Sequence, residues 1–143
     1  MKLVIYTDGG ARGNPGPAGI GVVITANGTA HNMLVGDDYE HGEYIGETTN
    51  NVAEYTALIF AIKKAKSLYK DHLSTLDIEV RMDSELIVKQ MKGEYKVKNE
   101  GLRPLFLEVQ KHIPEFHHVS FSHIPREKNS RADALVNKAL DNR

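Results

Sequence analysis

The chain contains no cysteine among its 143 residues. That absence excludes a disulfide framework and a thiolate nucleophile, and it weighs against a structural zinc site. A basic excess is missing too: 18 Lys and Arg stand against 19 Asp and Glu, for a formal net charge of −1. Strong, indiscriminate nucleic-acid binders usually carry such an excess. A local basic patch masked by clustered acidic residues gives the same total, so net charge decides nothing about a nucleic-acid partner. No apolar run approaches the roughly 20 residues that a membrane span requires. The N-terminal MKLVIYTDGG has no signal-peptide layout, because its apolar stretch is short and ends in an aspartate. A cytoplasmic protein that meets no membrane is expected. The glycine-rich Gly9-Gly10-Ala11-Arg12-Gly13-Asn14 lacks the G-x-G-x-x-G order, and no Gly-Lys-Ser/Thr follows it. That sets aside dinucleotide-binding and P-loop readings.

What remains is an ordinary globular composition, 41% hydrophobic and 26% charged. The length suits one domain, residues 1–143, able to bury roughly two-thirds of its unfolded surface. Neither repeats nor a low-complexity linker divide it. Lys2 to Thr7 is apolar on both alternating faces and suits an interior strand. A loop is expected over Gly9 to Gly19, then strands over Ile20 to Thr25 and around Ala30 to Val35, with Asn27-Gly28 as a hairpin signal between them. From Val52 to Tyr69, apolar Tyr55, Leu58, Ile62, Ala65 and Leu68 recur at helical spacing between lysines. Leu76 to Met82 alternates strictly and predicts a fourth strand. Helices are expected over Ser84 to Met91, Leu102 to His112 and Ser130 to Leu140, with a fifth strand around Val119 to Ser122. Three strands followed by alternating helices and strands make an α/β fold with a mixed sheet.

Four carboxylates sit at ends of these elements, where active sites form on α/β sheets. Asp8 follows the first strand, Glu54 lies in the first turn of the long helix, Asp83 follows the fourth strand, and Asp133 lies in the first turn of the last helix. Each has a purely structural explanation. Asp8 suits an Asx-turn, Glu54 a capping box with Asn51 as N-cap, Asp83 an N-cap, and Asp133 the positive end of a helix dipole. Two features point elsewhere. Glu54 shares a helix face with Leu58 and Ala61, and Asp133 lies beside Val136 and Leu140. A carboxylate leaning toward a core needs a proton or a cation. Oxygen-only donors favour Mg²⁺ or Mn²⁺ over zinc. The chemistry that uses such a cluster is phosphoryl transfer with two metal ions about 4 Å apart.

The strings YTDGGARGNPGPAGIG, TTNNVAEYTAL, MDSELIVKQM and NSRADALVNKAL occur in that order and span nearly the whole chain. Together they closely resemble the four signature blocks of the type 1 ribonuclease H family. The resemblance implies a ribonuclease H-like fold, a five-stranded mixed sheet flanked by helices. It implies an endonuclease that hydrolyses the RNA strand of an RNA–DNA hybrid with two Mg²⁺ (or Mn²⁺) ions, leaving 5′-phosphate and 3′-hydroxyl ends. Asp8, Glu54, Asp83 and Asp133 match the family's metal-binding carboxylates. Gly9, Gly10 and Asn14 match the turn that approaches the RNA strand. Thr49, Asn50 and Asn51 match the segment that meets ribose 2′-hydroxyls and DNA-strand phosphate, and Asn99 matches a further DNA-strand contact. A monomer is expected.

Two departures from the family pattern stand out. Many members carry a flexible loop with an auxiliary histidine before the last aspartate, whereas here the stretch is HIPREKNSRAD. Counting residues gives that role to His123. Alignment at the end of the fifth strand truncates the loop and leaves Arg126 or Lys128 to supply positive charge. The basic helix and loop of some members is also missing after Asp83, where only Lys89, Lys92, Lys96 and Lys98 are near. No separate N-terminal hybrid-binding domain is expected, since the first block begins near residue 1. Two alternatives remain: a non-catalytic nucleic-acid-binding module, or another metal nuclease on the same fold.

Overall fold

The structure, a computed structural model, describes residues 2–27 and 38–143. Five strands form one mixed sheet in the order β3-β2-β1-β4-β5. They are β1 (Lys2–Ala11), β2 (Gly16–Asn27), β3 (Tyr39–Thr48), β4 (Asp77–Met82) and β5 (His118–His123). Pairing of β1 with β2 and of β2 with β3 is antiparallel, whereas β1–β4 and β4–β5 are parallel. Among the described residues four α-helices accompany the sheet: α1 (Asn50–Leu68), α2 (Glu85–Met91), α3 (Arg103–His112) and α4 (Ser130–Asp141). No helix among the described residues is long and apolar enough to cross a membrane.

Strand alternation separates two packing faces. Leu3 and Ile5 of β1, with Ile20, Val22 and Ile24 of β2, join Tyr55, Leu58 and Ile62 of α1 in the main core. The opposite face of β2 receives α4. A Cβ on Gly21 would lie 2.1 Å from the Ala132 carbonyl oxygen, so only glycine admits that helix so close. Helix α4 buries Ala132, Val136 and Leu140 there.

The first two strands are longer than the sequence suggests. Gly9 to Ala11 continues β1 and Gly16 to Gly19 belongs to β2, which shrinks the expected loop to residues 12–15. Glycines read as loop punctuation are in fact strand positions across which other backbones pass closely. The strand expected around Ala30 to Val35 lies outside the described residues, as does Gly28 of the hairpin signal. The strand that pairs with β2 is Tyr39–Thr48. Its segment YEHGEYIGET holds little apolar alternation because it is a largely exposed edge.

Candidate active site

Pairing of β1 with β4 stops at Thr7 and Met82, while β1 and β2 stay paired to Ala11 and Ala18. The chain after β4 therefore turns away and opens a crevice beside the end of β1, at the carboxyl ends of two parallel strands. Asp8 lies in β1 just past the last β4 pair and Asp83 just past the end of β4. Glu54 comes from α1, and Asp133 from the first turn of α4.

Local structure removes three of the structural explanations for these acids. Asp8 is a strand residue opposite Gly21 and not part of a turn. The N-cap of α1 is Thr49, whose Oγ1 accepts from Val52 N at 3.3 Å. Asn51 is thus inside the helix, and the third helical position is Val52, so Glu54 serves no capping box. Ser84, not Asp83, caps α2 and accepts from Ile87 N at 3.4 Å. Asp133 does lie near the positive end of α4.

Oxygen atoms of Asp8, Glu54 and Asp83 lie within 4.8 Å of one another. Asp133 stands outside this trio but lines the same cleft, of about 620 Å³, with Gly9, Gly10, Arg12, Asn51 and Arg126. Burial pushes the Asp8 carboxyl up to about 8, reinforced by repulsion from Asp83, Asp133 and Glu54 and eased by the Gly9 N–H. Burial likewise pushes Glu54 up to about 7, against a hydrogen bond from Ser84. Asp83 is raised by burial, and hydrogen bonding from Asn129 and the charge of Arg126 counter that rise. Carboxylates this crowded either take up protons or share a cation. Three converging carboxylate donors, with no nitrogen or sulfur donor in the set, fit a hard divalent ion such as Mg²⁺ or Mn²⁺.

The expected substrate contacts flank this cluster. A Cβ on Gly9 would lie 2.4 Å from the Ala53 carbonyl carbon and oxygen, so Gly9 lets β1 press against α1. Gly10, by contrast, borders the cleft, where a Cβ would meet nothing nearer than Asn50 Oδ1 at 4.0 Å. Asn50 Oδ1 accepts from Ala11 N at 2.8 Å, and Asn14 Oδ1 accepts from Asn50 N at 3.0 Å. Asn14, Thr49, Asn51 and Asn99 gather in a second depression, joined to the first through Asn51. Asn99 also closes the turn before α3, its Oδ1 accepting from Gly101 N at 2.8 Å.

The three auxiliary candidates separate. Arg126 enters the carboxylate cleft, its Nη2 3.9 Å from Asp133 Oδ1. Lys128 borders a different groove with Tyr6, Thr25 and Arg131. His123 lines a third with Glu85, Lys89 and Glu94. The sequence reading missed several polar side chains at the site. Ser84 lowers the pKa of Glu54, and buried Asn129, which donates to the Thr7 carbonyl at 2.9 Å, lowers that of Asp83. Arg12 and Asn137 line the cleft beside Asp133. Asn129 and Asn137 both lie in the quoted NSRADALVNKAL string, but nothing in their spacing marks a contact made across the fold.

Comparison with known proteins identifies the family. The chain matches the family model described as Reverse transcriptase-like over residues 6–139. It is 41% identical over 141 residues to ribonuclease HI of Halobacterium salinarum, covering 98% of this chain and 65% of that protein. It is 42% identical over 142 residues to a bifunctional protein of Mycobacterium tuberculosis, covering 99% of this chain. The chain spans only 36% of the length of that mycobacterial relative. Among solved structures, LC11-RNase H1 in complex with an RNA/DNA hybrid superposes with a TM-score of 0.87 at 54% identity, covering 98% of this chain and 97% of that one. Four motif blocks, the five-stranded mixed sheet and these matches agree: the chain belongs to the type 1 ribonuclease H family.

Proposed function

We propose that this protein is an endoribonuclease that hydrolyses the RNA strand of RNA–DNA hybrids with two bound Mg²⁺ or Mn²⁺ ions. The observation that carries this reading is the convergence of Asp8, Glu54 and Asp83 oxygens within 4.8 Å, in a cleft that Asp133 also lines. The hybrid-bound LC11-RNase H1, which this fold matches so closely, supports the choice of substrate.

In this reading Asp8, Glu54, Asp83 and Asp133 hold the ions. Divalent cations supply Lewis-acid chemistry there, lowering the pKa of a water and neutralising charge on the leaving oxygen. The water oxygen bonds to phosphorus, the bond from phosphorus to the 3′-oxygen breaks, and the products carry 5′-phosphate and 3′-hydroxyl ends. No covalent enzyme intermediate is needed, consistent with the absence of any Ser–His or Cys–His pair in the cleft lining. Gly10 leaves room for the RNA strand beside β1. Asn14, Thr49, Asn50 and Asn51 offer small polar groups to ribose 2′-hydroxyls and phosphates, and Asn99 offers one to the DNA strand. Only the 2′-hydroxyl distinguishes RNA from DNA locally, so such contacts provide selectivity.

The test is incubation of end-labelled RNA–DNA hybrid with the protein and Mg²⁺ or Mn²⁺, beside single-stranded RNA, duplex RNA, duplex DNA and an Asp83→Asn control. Metal-dependent cutting of the hybrid's RNA strand, absent in the variant, is the expected result. Hybrid binding without cutting under either metal would make the chain a binding module. Preferential cutting of DNA would make it another nuclease of this fold.

A further inference from the structure

Asp133 is the least constrained of the four carboxylates. It stands outside the trio whose oxygens lie within 4.8 Å of one another, and its side chain is 33% exposed. Its Oδ1 faces Arg126 at 3.9 Å, but the Arg126 side chain is 81% exposed and holds nothing firmly. Its Oδ2 has a directional partner instead: Asn137 Nδ2, one helical turn on, at 3.3 Å. The same Nδ2 lies 3.2 Å from the Asp133 carbonyl oxygen.

The far end of the Asn137 amide is also engaged. Arg12, in the turn between β1 and β2, places Nη2 3.4 Å from Asn137 Oδ1 and 3.5 Å from the Asn137 carbonyl oxygen. The same nitrogen is 2.8 Å from Asp141 Oδ1, which anchors the guanidinium at the end of α4. This arrangement fixes the amide's orientation. A guanidinium only donates and a carboxylate only accepts. Reversing the amide would set oxygen against oxygen and N–H against N–H, two repulsions in place of two bonds. Only a side chain with an acceptor at one end and a donor at the other fits between Arg12 and Asp133.

We propose that Asn137 is a positioning residue that orients the Asp133 carboxylate toward the metal site, and that Arg12 sets Asn137. The turn expected to meet the RNA strand and the fourth metal-binding carboxylate are then held by one polar chain. This inference rests on the metal-dependent reading above.

The experiment measures three quantities: Mn²⁺ affinity by calorimetric titration of the protein without substrate, the Mg²⁺ dependence of kcat and KM on hybrid, and the metal-free thermal midpoint. Partners that orient metal ligands contribute about 10–100-fold to metal affinity. The long contacts here place the effect near roughly tenfold on that scale. Asn137→Ala is expected to weaken Mn²⁺ binding and lower kcat at limiting Mg²⁺ by that factor, with KM for hybrid and the thermal midpoint little changed. Asn137→Gln keeps both amide ends and is expected to recover part of the loss. Asn137→Asp puts a second carboxylate beside Asp133 and is expected to do worse than alanine. In an Asp133→Asn background, Asn137→Ala is expected to leave Mn²⁺ affinity where Asp133→Asn put it.

Unchanged Mn²⁺ affinity in Asn137→Ala would overturn the proposal. So would a loss that persists undiminished in the Asp133→Asn background, or one that glutamine does not relieve and the thermal midpoint tracks. Failure of the underlying enzymatic reading looks different, because the wild-type protein itself would then fail to cut the RNA strand of hybrid, whatever its Mn²⁺ affinity.

Discussion

The two walls of the cleft are built differently. On the α1 side the contacts are short and made at backbone level. Gly9 presses β1 against Ala53, Asn50 Oδ1 holds Ala11 N at 2.8 Å, and Asn14 Oδ1 holds Asn50 N at 3.0 Å. On the α4 side the helix itself is locked to β2 through Gly21, and Asn129 at its start is buried and donates to the Thr7 carbonyl at 2.9 Å. Yet Asp133 and Asn137 meet their partners at the cleft through long, exposed contacts of 3.2–3.9 Å. A wall fixed by backbone packing sets a shape, whereas one fixed by side-chain hydrogen bonds near solvent adjusts at small cost. The α1 wall carries the segments expected to read the hybrid. The α4 wall carries the one carboxylate outside the tight trio.

Substitutions distinguish the walls, and the largest effect is expected where they meet. Asp8→Asn or Asp83→Asn removes a carboxylate expected to hold metal, and several kcal/mol of transition-state stabilisation go with it. Cleavage is expected to fall by roughly a thousandfold or more, with hybrid binding in chelator largely kept; residual cleavage near wild type would break the assignment. Next is Gly9→Ala. Its Cβ would lie 2.4 Å from the Ala53 backbone, so β1 and α1 must separate. A loss of about 3 kcal/mol or more is expected, seen as a thermal midpoint lower by roughly 10 °C, together with loss of cleavage. If the midpoint is unchanged, the α1 wall is not rigid and the contrast fails.

Asn50→Ala leaves the Ala11 N–H without its partner, at a cost of about 1–3 kcal/mol. A thermal midpoint lower by several degrees is expected from a shift of that size, more than after any single change at the exposed Arg126.

The metal-free protein offers a pH test. The folded pKa of Asp8, about 8, exceeds its ordinary 3.8, so between those values the folded state holds a proton that the unfolded state has lost. Stability therefore falls as pH rises through that window. Thermal midpoints measured in chelator from about pH 5 to about pH 8 should decline, and Asp8→Asn should flatten the decline. A decline of equal slope in the variant would locate its cause elsewhere. The smallest effect is expected at His123, which faces Glu85 and Lys89 in a separate groove. Its replacement by alanine should change kcat/KM by no more than about twofold. A large loss would restore it as the auxiliary group and show that the cleft extends past Arg126.

Much of this was legible in one dimension. Burial on one face of α1 and on β4 follows from the spacing of Leu58, Ile62, Val80 and Met82, since periodic apolar residues can be buried in only one way. The four acids were found by their position at element ends and by the motif blocks around them. Other features were hidden because their cause lies far along the chain. Gly9 looks like a turn residue until Ala53 is seen against it. Strand β3 shows little apolar alternation because about half of its residues stay exposed, and its place is set by pairing with β2.

Sequence by itself determined which residues are expected to carry the chemistry, because donor type, periodicity and motif order are local properties of the chain. The tertiary structure alone decided their grouping: that Asp133 stands apart from the trio, that Arg126 rather than Lys128 or His123 enters the cleft, and that Arg12 meets Asn137 across 125 positions. Those outcomes depend on how α4 lies across β2 and on where β4 ends beside β1. Both are set by close packing between segments distant in sequence, and no local pattern encodes that packing.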